Sequence, residues 1–408
     1  MTVERGSPGG TAVGKGIPLD EELGSLLARL DAEELRRSDR PMRRLPGALV
    51  QIEGRRLADF SSNDYLGLAT DTRTAKAAAD VLEREGVGAG AARLISGTHP
   101  VHLALEGALA AFVRAPAALL LGSGYAANLG ALPALAGPGD LLYSDELNHA
   151  SLIDGCRLSR ATVRIFPHRD LSALDRRLGE DRDLPGARWI VVEGIYSMEG
   201  DLFPLDALVE TAREYGARIY LDDAHGVGVL GEGGRGTPEL YGVEGEVDVV
   251  MGTLGKAFGA AGAFVAGSAA LREWLLNRAR PFVFSTAPPP AVAAAALAAL
   301  EIVEAEPERR ARLVANARRF RQGLAEVGRS VPAQGTGHIT GLRVGDAGET
   351  LRIAHDLEAR GYLVGAVRPP SVPAETSRLR VGVSSEHTTG QLDGLLRALG
   401  ELLPPAAG

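Results

Sequence analysis

The sequence predicts an α/β fold in which the larger domain is built on a mostly parallel β-sheet. From about residue 71 to residue 285, short apolar segments alternate with stretches of helical periodicity, which is the pattern of parallel α/β sheets. The short segments are apolar throughout, and this indicates strands that are buried on both faces. The predicted strands are AALLL (117–121), LLYS (141–144), WIVVEG (189–194), RIYLDDA (218–224), VDVVMGT (247–253) and AFVAG (263–267).

The segment before this region predicts a helix followed by a β-hairpin. Four leucines between residues 23 and 30 recur at helical spacing and predict a helix over about 20–37. The segment LVQIEGRRLADF (49–60) then alternates between apolar and polar residues, as the two strands of a hairpin do. The first 17 residues are rich in glycine and lack an apolar core, so we predict a disordered leader there.

The segment after Pro288 changes character and predicts a second, smaller domain. An Ala-rich helix extends to about Glu304, a second helix covers 307–327, and HITGLRV (338–344) and RLRVGV (378–383) predict short strands. The predicted parts are a leader (1–17), an N-terminal helix and hairpin (18–70), a large domain (71–287) and an α+β C-terminal domain (288–408).

The composition is that of a globular protein and argues against several classes of function. Of 408 residues 45% are hydrophobic, and 44 basic against 52 acidic residues give a net charge of −8. We therefore expect no nucleic-acid or anionic-membrane partner. The single cysteine rules out a disulfide framework and a Cys-rich metal site and fits a reducing cytoplasm. No apolar run approaches the ~20 residues of a membrane span, and no signal peptide is visible, so we expect a cytoplasmic protein without a metal centre.

Polar residues follow the predicted strands at their carboxyl ends, where parallel α/β proteins bind ligands. The strand at 218–224 brings two acids and a histidine to its carboxyl end, and the strand at 247–253 brings a threonine and a lysine to its own. Two further strands are followed by a serine and by another histidine. The residues in question are Asp222, Asp223, His225, Thr253, Lys256, Ser197 and His149.

This set of residue types fits pyridoxal 5'-phosphate (PLP) better than a metal. A lysine in an apolar, Gly-flanked setting can have a depressed pKa and react with an aldehyde, and an acid can keep the pyridine nitrogen of PLP protonated. Ser123, Gly124 and Tyr125 follow a strand and open a helix, as a phosphate site requires. Taken singly, Lys256 could be a solvated lysine, each acid a helix cap and each histidine part of the core; their joint order favours the cofactor site.

The sequence as a whole resembles the α-oxoamine synthases, a family of fold-type I PLP-dependent transferases. The resemblance extends in order from about Leu30 to Leu403. Its motifs are SSNDYLGLA (61–69), RLISGTHPVHLALE (93–106), GSGYAANLGAL (122–132), NHASLIDG (148–155), EGIYSMEGD (193–201), LDDAHGVGVLGEGGRG (221–236), TLGKAFG (253–259), FSTAPPP (284–290) and SRLRVGVSSEH (377–387).

The resemblance implies a role for each matching position. The catalytic positions would be Lys256 as the Schiff-base lysine, Asp222 at the ring nitrogen, His225 at the phenolic oxygen and His149 stacked on the ring. Ser197 would lie near the ring edge, and Gly124, Tyr125 and Thr253 would bind the phosphate, with Ser285 and Thr286 approaching the phosphate of a neighbouring subunit. Asn63 and Arg380 would hold the substrate carboxylate, and Arg40 and Arg368 would lie near the acyl group.

The resemblance also implies an activity, a cofactor and a homodimer with shared active sites. The segment 367–388 is most similar to the branch that condenses L-alanine with a pimeloyl thioester, with release of CO2, to 8-amino-7-oxononanoate in biotin biosynthesis. Arg368-Pro369 stands where the glycine-using branches tend to have an aromatic residue before proline. The alternatives are a glycine-using synthase of the 2-amino-3-oxobutyrate CoA ligase or 5-aminolevulinate synthase type, a secondary-metabolite relative, or a non-enzymatic interaction protein. The acyl carrier, coenzyme A or a carrier protein, stays open.

Overall fold

The computed structural model describes residues 18–329, 335 and 337–403, so the leader predicted over 1–17 lies outside the described residues. The N-terminal part contains a helix, a hairpin with one additional strand, and two helices that lead into the large sheet. Its elements are α1 (Leu19–Ala32), β1 (Arg43–Leu45), β2 (Leu49–Ile52), β3 (Arg55–Asp59), a 3₁₀ helix (Leu68–Thr70), α2 (Thr72–Glu85) and α3 (Pro100–Phe112).

The central part alternates strands and helices, as the sequence predicts. Its elements are β4 (Ala117–Leu121), α4 (Gly124–Leu135), β5 (Leu141–Asp145), α5 (Ala150–Ser159), β6 (Thr162–Phe166), α6 (Leu171–Glu180), β7 (Arg188–Glu193), α7 (Leu205–Tyr215), β8 (Arg218–Asp222), α8 (Thr237–Tyr241), β9 (Val249–Thr253), β10 (Ala263–Gly267), α9 (Ala269–Arg278) and α10 (Arg280–Val283).

The seven strands β4 to β10 form one sheet in the order β4-β10-β9-β8-β7-β5-β6. The pairs among β5 to β9 are parallel, whereas β10 runs antiparallel to both of its neighbours. The predicted α/β fold with a mostly parallel seven-stranded sheet is therefore confirmed. All six predicted strands are present; the seventh, β6, was not predicted, because it is an edge strand whose Ile165 is 54% exposed and whose Arg164 pairs with Asp181.

The central strands are buried on both faces. In β7, Trp189 and Val191 belong to the apolar layer on one side of the sheet, and Ile190 and Val192 belong to the layer on the other side. Successive side chains of a strand point to opposite faces, so a strand between two helical layers must be apolar at every position. This explains why the strands read as continuous apolar segments.

The C-terminal part adds helices and a small antiparallel sheet in the order β11-β14-β13. Its strand β12 pairs in parallel with β3, so the N-terminal hairpin and the C-terminal part share a four-stranded sheet. One buried cluster extends from Ala58 through Phe258 to Leu403 and joins these parts to the large sheet. The elements are α11 (Pro290–Ala305), α12 (Pro307–Glu326), β11 (Ile339–Gly345), α13 (Ala347–Ala359), β12 (Tyr362–Leu363), β13 (Gly365–Val367), β14 (Ser377–Gly382) and α14 (Thr389–Leu402).

Side chains cap the first turns of several helices and thereby fix where they begin. The carboxylate of Asp346 accepts the backbone N–H of Glu349 at 2.8 Å, and Thr388 forms a reciprocal capping box with Gln391. Such caps satisfy N–H groups that have no partner inside the helix. Within the described parts of the chain, none of the helices combines the length and the apolar character that crossing a membrane requires.

Candidate active site

A cavity of about 180 Å³ lies at the carboxyl ends of β7, β8 and β9. These ends meet at one edge because the three strands are parallel neighbours. Seven predicted site residues line the cavity: Gly124, Tyr125, His149, Asp222, His225, Thr253 and Lys256. Five further residues complete the lining: Asn128, Ser151, Glu193, Ala224 and Met251.

The amine of Lys256 is the first of three buried groups that are linked in series by hydrogen bonds. Its Nζ lies 2.8 Å from Nε2 of His225, and Nδ1 of His225 lies 2.7 Å from the hydroxyl oxygen of Tyr65. Burial lowers the pKa of Lys256 to about 8, against the opposing effect of the carboxylates of Asp222 and Glu193. Burial, together with the neighbouring Lys256, also holds the pKa of His225 well below its usual range. The pair therefore contains a neutral imidazole beside an amine that can accept or release a proton near neutral pH.

The short connection between β9 and β10 carries Lys256 and is held tightly. Leu254 N–H donates to the carbonyl of Gly262 and Gly259 N–H donates to the carbonyl of Lys256, both at 2.9 Å. Gly259 has a φ of +61°, and a side chain there would collide with the backbone of Ala69. Only glycine combines this backbone conformation with so close an approach, so the position of Lys256 depends on it.

Asp222 is the last residue of β8, and both of its carboxylate oxygens are held. Oδ2 accepts a hydrogen bond from Nδ2 of Asn128 at 2.8 Å, and Oδ1 accepts one from the N–H of Ala224 at 3.0 Å. The Asn128 amide is itself oriented, because its oxygen accepts from the Tyr220 hydroxyl at 2.9 Å and its nitrogen donates to Ser151 Oγ at 2.9 Å. A buried carboxylate with two defined donors is a rigid anionic group at the cavity wall.

Asp223 is buried beside Asp222, but its carboxylate accepts hydrogen bonds from other residues. Its carboxylate accepts hydrogen bonds from the N–H of Thr237 at 2.7 Å and from the hydroxyl of the same residue. Burial raises the pKa of Asp223 to about 7. A side chain at Gly226 or Gly236 would collide with this carboxylate, so the following loop wraps closely around it. Asp223 thus holds the loop, and Asp222 faces the cavity.

His149 and Glu193 lie together in the lining of the cavity. His149 caps α5, with its Nδ1 at 2.7 Å from Ser151 Oγ, and its backbone N–H donates to Glu193 Oε1 at 2.6 Å. Burial raises the pKa of Glu193 well above its usual range and lowers the pKa of His149. Glu193 was not predicted as a site residue, although it ends β7 just as Asp222 ends β8.

The amino-terminal end of α4 lies directly beside β9 in the lining of the cavity. The Ser123 hydroxyl caps the helix by accepting the N–H of Ala126 at 3.1 Å. The N–H groups of Gly124 and Tyr125 belong to the first turn and have no partner inside the helix. A Cβ atom placed on Gly124 would lie 4.0 Å from Cβ of Thr253, so Thr253 adjoins this end of the helix, and its hydroxyl donates to the Gly262 carbonyl at 3.1 Å. The end of α4 is therefore suited to an anion such as phosphate.

The groups around the cavity fit PLP. An amine, a rigid carboxylate and an anion-binding helix end surround one space, and these are the groups that an aldehyde, a pyridine nitrogen and a phosphate require. The described residues contain no group of three or more His, Cys, Asp or Glu side chains that could hold a metal ion.

Arg380, Asn63 and Ser197 lie next to the cavity without lining it. Arg380 Nε donates to the Ser197 carbonyl at 2.6 Å, and Arg380 Nη2 donates to Asn63 Oδ1 at 3.1 Å. The same amide oxygen of Asn63 accepts from the Tyr65 hydroxyl at 3.2 Å. The tyrosine, which was not predicted as a site residue, thus connects Arg380 to His225 and Lys256.

The remaining predicted residues lie apart from the cavity of this chain. Arg40 pairs with both carboxylate oxygens of Glu358, at 2.7 and 3.0 Å. The buried Arg368 donates to the carbonyl of Glu34. Both arginines therefore serve contacts between the N-terminal and C-terminal parts in this structure, and their roles at the acyl group stay predictions. The other two residues, Ser285 and Thr286, lie exposed on the surface.

The loop that carries Ser197 is anchored by the half-buried imidazole of His168. His168 Nε2 lies 2.7 Å from Asp201 Oδ2, and His168 Nδ1 lies 3.0 Å from Asp145 Oδ1. Burial disfavours the charge on His168, but its bonds to Asp145 and Asp201 outweigh this effect and raise its pKa to about 9. The imidazolium therefore ties the end of β5 to the loop beside Arg380.

His168→Gln is expected to lower stability most at acidic and neutral pH. A histidine whose folded-state pKa of about 9 exceeds its usual 6.5 contributes stability that is complete below 6.5 and is lost as the pH rises through 9. The difference in free energy of unfolding should reach up to about 3 kcal/mol near pH 6 and shrink towards pH 10. Urea titrations at both pH values measure it, with His355→Gln on the exposed face of α13 as control. A difference that does not depend on pH would contradict the paired imidazolium.

Comparisons with known proteins agree with the geometry of the site. The family model for aminotransferase class I and II matches residues 55–399. An 8-amino-7-oxononanoate synthase from Anaeromyxobacter dehalogenans is 50% identical over 388 residues, which cover 95% of this chain and 97% of that relative.

Two solved structures share the fold over most of both chains. A serine palmitoyltransferase variant from S. paucimobilis with bound PLP superimposes with a TM-score of 0.87 at 31% identity, and covers 94% of this chain and 97% of the other. An 8-amino-7-oxononanoate synthase from Francisella tularensis superimposes with a TM-score of 0.74 at 28% identity, and covers 85% and 97%. The chain therefore belongs to the aminotransferase class I and II family, and within that family to the PLP-dependent α-oxoamine synthases.

Proposed function

We propose that the protein condenses L-alanine with a pimeloyl thioester, with release of CO2, to form 8-amino-7-oxononanoate in biotin biosynthesis. One observation carries the proposal: an amine, a rigid carboxylate and an anion-binding helix end converge on one cavity. They do so in a chain that is half identical to a synthase of that name over nearly its whole length. The protein is accordingly a PLP-dependent acyltransferase.

The residues around the cavity would hold PLP at three points. Lys256 would bind its aldehyde covalently through Nζ, Asp222 would face the ring nitrogen, and the N–H groups of Gly124 and Tyr125 with the Thr253 hydroxyl would bind the phosphate. When bound, PLP supplies an electron sink that stabilises negative charge on the carbon next to the substrate nitrogen.

Histidines on two sides would fix the ring. His149 would stack on it, and His225 would reach its phenolic oxygen from the side of Lys256. Ser197 would lie at the ring edge, on the loop that His168 anchors.

The proton at the substrate Cα would be moved by Lys256. Its lowered pKa of about 8 leaves a useful fraction of neutral amine at neutral pH, which a general base needs. His225 at 2.8 Å and Tyr65 behind it can orient the amine and share its proton.

The carboxylate of the amino-acid substrate would be bound by Arg380. The guanidinium is already positioned by Ser197 and Asn63, and its planar array of donors suits a carboxylate bound through both oxygens. A grip of this kind can orient the Cα–H bond and later the bond to the departing CO2.

Arg380→Lys is expected to raise the KM for L-alanine at least about tenfold and leave bound PLP in place, because an ammonium cannot form two parallel hydrogen bonds. Steady-state kinetics at saturating acyl thioester measure the change. Arg343→Lys, an exposed arginine in the same small sheet, is the matched control and should behave as the wild type. An unchanged dissociation constant for L-alanine would remove Arg380 from the substrate site.

The substrate assignment is tested by a product assay. The purified protein is incubated with L-alanine or glycine and with pimeloyl, succinyl or acetyl thioesters, and CO2 and amino ketone are quantified. We expect L-alanine with the pimeloyl thioester to have the highest kcat/KM. One methyl group allows only about 10–200-fold discrimination between the amino acids. A preference for glycine with acetyl-CoA or succinyl-CoA would assign the protein to a glycine-using branch.

We propose in addition that two chains form a homodimer with shared active sites. Phe284 and Ile95, which are 72% and 81% exposed, lie near Ser285 and Thr286, since Thr286 pairs with Ala92 across a β-bridge. Large exposed apolar side chains beside the predicted phosphate-binding residues are what a subunit interface requires. Mixing Lys256→Ala subunits with inactive Thr286→Asp subunits should restore part of the activity. If activity is not restored and sedimentation finds monomers, the two chains do not share active sites.

We also propose that the protein acts in the cytoplasm. Its single cysteine, Cys156, is a free buried thiol. A free thiol is compatible with a reducing compartment, and fractionation of cells that express the tagged protein would test the location.

A further inference from the structure

Five polar side chains form a continuous series of hydrogen bonds that ends at Lys256. Arg380 Nη2 lies 3.1 Å from Asn63 Oδ1, and the same oxygen lies 3.2 Å from the hydroxyl oxygen of Tyr65. The Tyr65 oxygen lies 2.7 Å from His225 Nδ1, and His225 Nε2 lies 2.8 Å from Lys256 Nζ. The five residues come from the loop after β3, from β14 and from the loops that follow β8 and β9, so the series joins the C-terminal part to the large sheet.

The direction of the first two hydrogen bonds follows from the chemistry of Arg380. A guanidinium can only donate, so the atom of Asn63 that faces it is the amide oxygen, which can only accept. The Tyr65 hydroxyl has one proton and keeps it at neutral pH, because burial raises the pKa of this phenol. Two oxygens 3.2 Å apart form a hydrogen bond only if a proton lies between them. Tyr65 therefore donates to Asn63.

His225 must then donate to Tyr65 through Nδ1. The hydroxyl proton points at Asn63, so the 2.7 Å contact between Tyr65 and Nδ1 is a hydrogen bond only if the imidazole supplies the proton. The imidazole is neutral, since burial and the neighbouring Lys256 hold the pKa of His225 well below its usual range. A neutral imidazole has one N–H group, so Nε2 carries no proton and accepts a hydrogen bond from Lys256.

The opposite direction would leave one contact of the series without a proton. If Tyr65 donated to His225, two oxygen lone pairs would face each other across the 3.2 Å between Tyr65 and Asn63. The Tyr65 ring is fully buried and packs edge-on against His338, with 4.7 Å between the ring centroids, so the hydroxyl oxygen is held in place. Burial lowers the pKa of His338 to about 3, and this ring therefore adds no charge beside the hydroxyl.

We propose that Arg380, Asn63 and Tyr65 set the direction of the hydrogen bond between His225 and Lys256, so that the amine donates and its lone pair stays free to react. In the opposite direction an Nε2–H group would occupy the lone pair that the amine needs to attack an aldehyde and to take a proton from the substrate Cα. Asn63 and Tyr65 are thus positioning residues for Lys256. The inference rests on the proposed function only for the use of Lys256 as a base, because the direction itself is measurable without cofactor or substrate.

Reversal of this hydrogen bond has an effect of defined sign on Lys256. A lone pair on His225 Nε2 stabilises the ammonium form of Lys256, whereas an N–H group there stabilises the neutral amine. Reversal therefore lowers the pKa of Lys256 below its present value of about 8. The other titratable and charged groups that act on the pair are Asp222, Glu193, His149, His338 and Arg380.

Two variants reverse the direction without changing any of these charges. Tyr65→Phe removes the acceptor of Nδ1–H, and Asn63→Ala removes the acceptor of the Tyr65 proton, which then turns to Nδ1. Each variant should lower the pKa of Lys256 by about one pH unit, and the double variant should lower it no further, since both changes act through the same nitrogen. Tyr215→Phe is the matched control and should leave this pKa unchanged, because it removes a hydroxyl that bonds Asp175 at the surface.

The pKa of Lys256 is measured on the full-length protein freed of PLP with hydroxylamine. The chain has three lysines, so trace acetylation with acetic anhydride at a series of pH values can be followed for each amine. Exhaustive acetylation with the deuterated reagent in denaturant and peptide mass spectrometry then give the fraction that reacted. Lys76, which pairs with Asp80 on the surface, is the internal reference. A protein that binds no PLP would contradict the proposed function and still allow this measurement.

Three outcomes would overturn the inference. The first is an unchanged or raised pKa of Lys256 in Tyr65→Phe, with the fold verified by circular dichroism. The second is an unchanged or raised pKa in Asn63→Ala, which decides the question alone if Tyr65→Phe does not fold. The third is a double variant in which the two shifts add, because additive shifts would mean that Asn63 does not act through Tyr65.

Discussion

Lys256→Ala is expected to lower turnover with L-alanine and the acyl thioester by at least about a thousandfold, because it removes both the covalent attachment point of the cofactor and the general base. The cavity contains no other amine among the described residues. Lys76→Ala is the matched control, since Lys76 is exposed and pairs only with Asp80 four residues away. Its activity should equal that of the wild type.

The attachment point can be identified independently of activity. The chain has three lysines, Lys15, Lys76 and Lys256. Borohydride reduction of the holoenzyme followed by peptide mapping should therefore find the cofactor on Lys256 alone. Cofactor fixed on either of the other two would refute the assignment, whatever the Lys256→Ala variant does.

Asp222→Asn is expected to lower turnover by about a hundredfold or more and to leave PLP bound, because it removes the negative charge opposite the ring nitrogen but keeps the end of α4 intact. The amide has one oxygen and cannot accept from both Asn128 and Ala224, as the carboxylate does. Exchange of the L-alanine Cα proton in deuterated water, followed by NMR, isolates this step. Normal exchange in the variant would refute the role of Asp222.

The neighbouring acid provides the control for Asp222. Asp223→Asn should reduce stability by about 1–3 kcal/mol through its bonds to Thr237, while the rate of Cα proton exchange per bound cofactor stays near that of the wild type. The two adjacent carboxylates thus separate a loss of chemistry from a loss of structure.

The residues that end buried strands could be predicted because the strands themselves are unmistakable. The apolar segments 117–121 and 263–267 have the same bounds as the strands of the structure. The polar residues that follow such strands can therefore be located from the sequence. Asn128 and Tyr65 give no such signal, since one lies inside a helix and the other in a loop. Their roles come from contacts with Asp222 and His225, which are distant in the sequence.

Other features depend on contacts that a sequence pattern does not contain. The first helix was predicted to extend to residue 37 but ends at Ala32, because Glu34 adopts a left-handed conformation with φ of 55° without a glycine to mark it. The antiparallel direction of β10 was not predicted either. Its apolar segment is compatible with both directions, and the short connection from β9 decides between them.

The position of β10 has a consequence for the order in which the chain folds. In the sheet β10 lies between β4 and β9, although β4 ends at Leu121 and β10 begins only at Ala263. During synthesis β4 and β9 therefore remain open edges until residue 267 has left the ribosome. Open edges template aggregation, and pairing between distant segments is slow. The strand that follows the Lys256 loop is therefore the element that closes the sheet and ends the exposure of these edges.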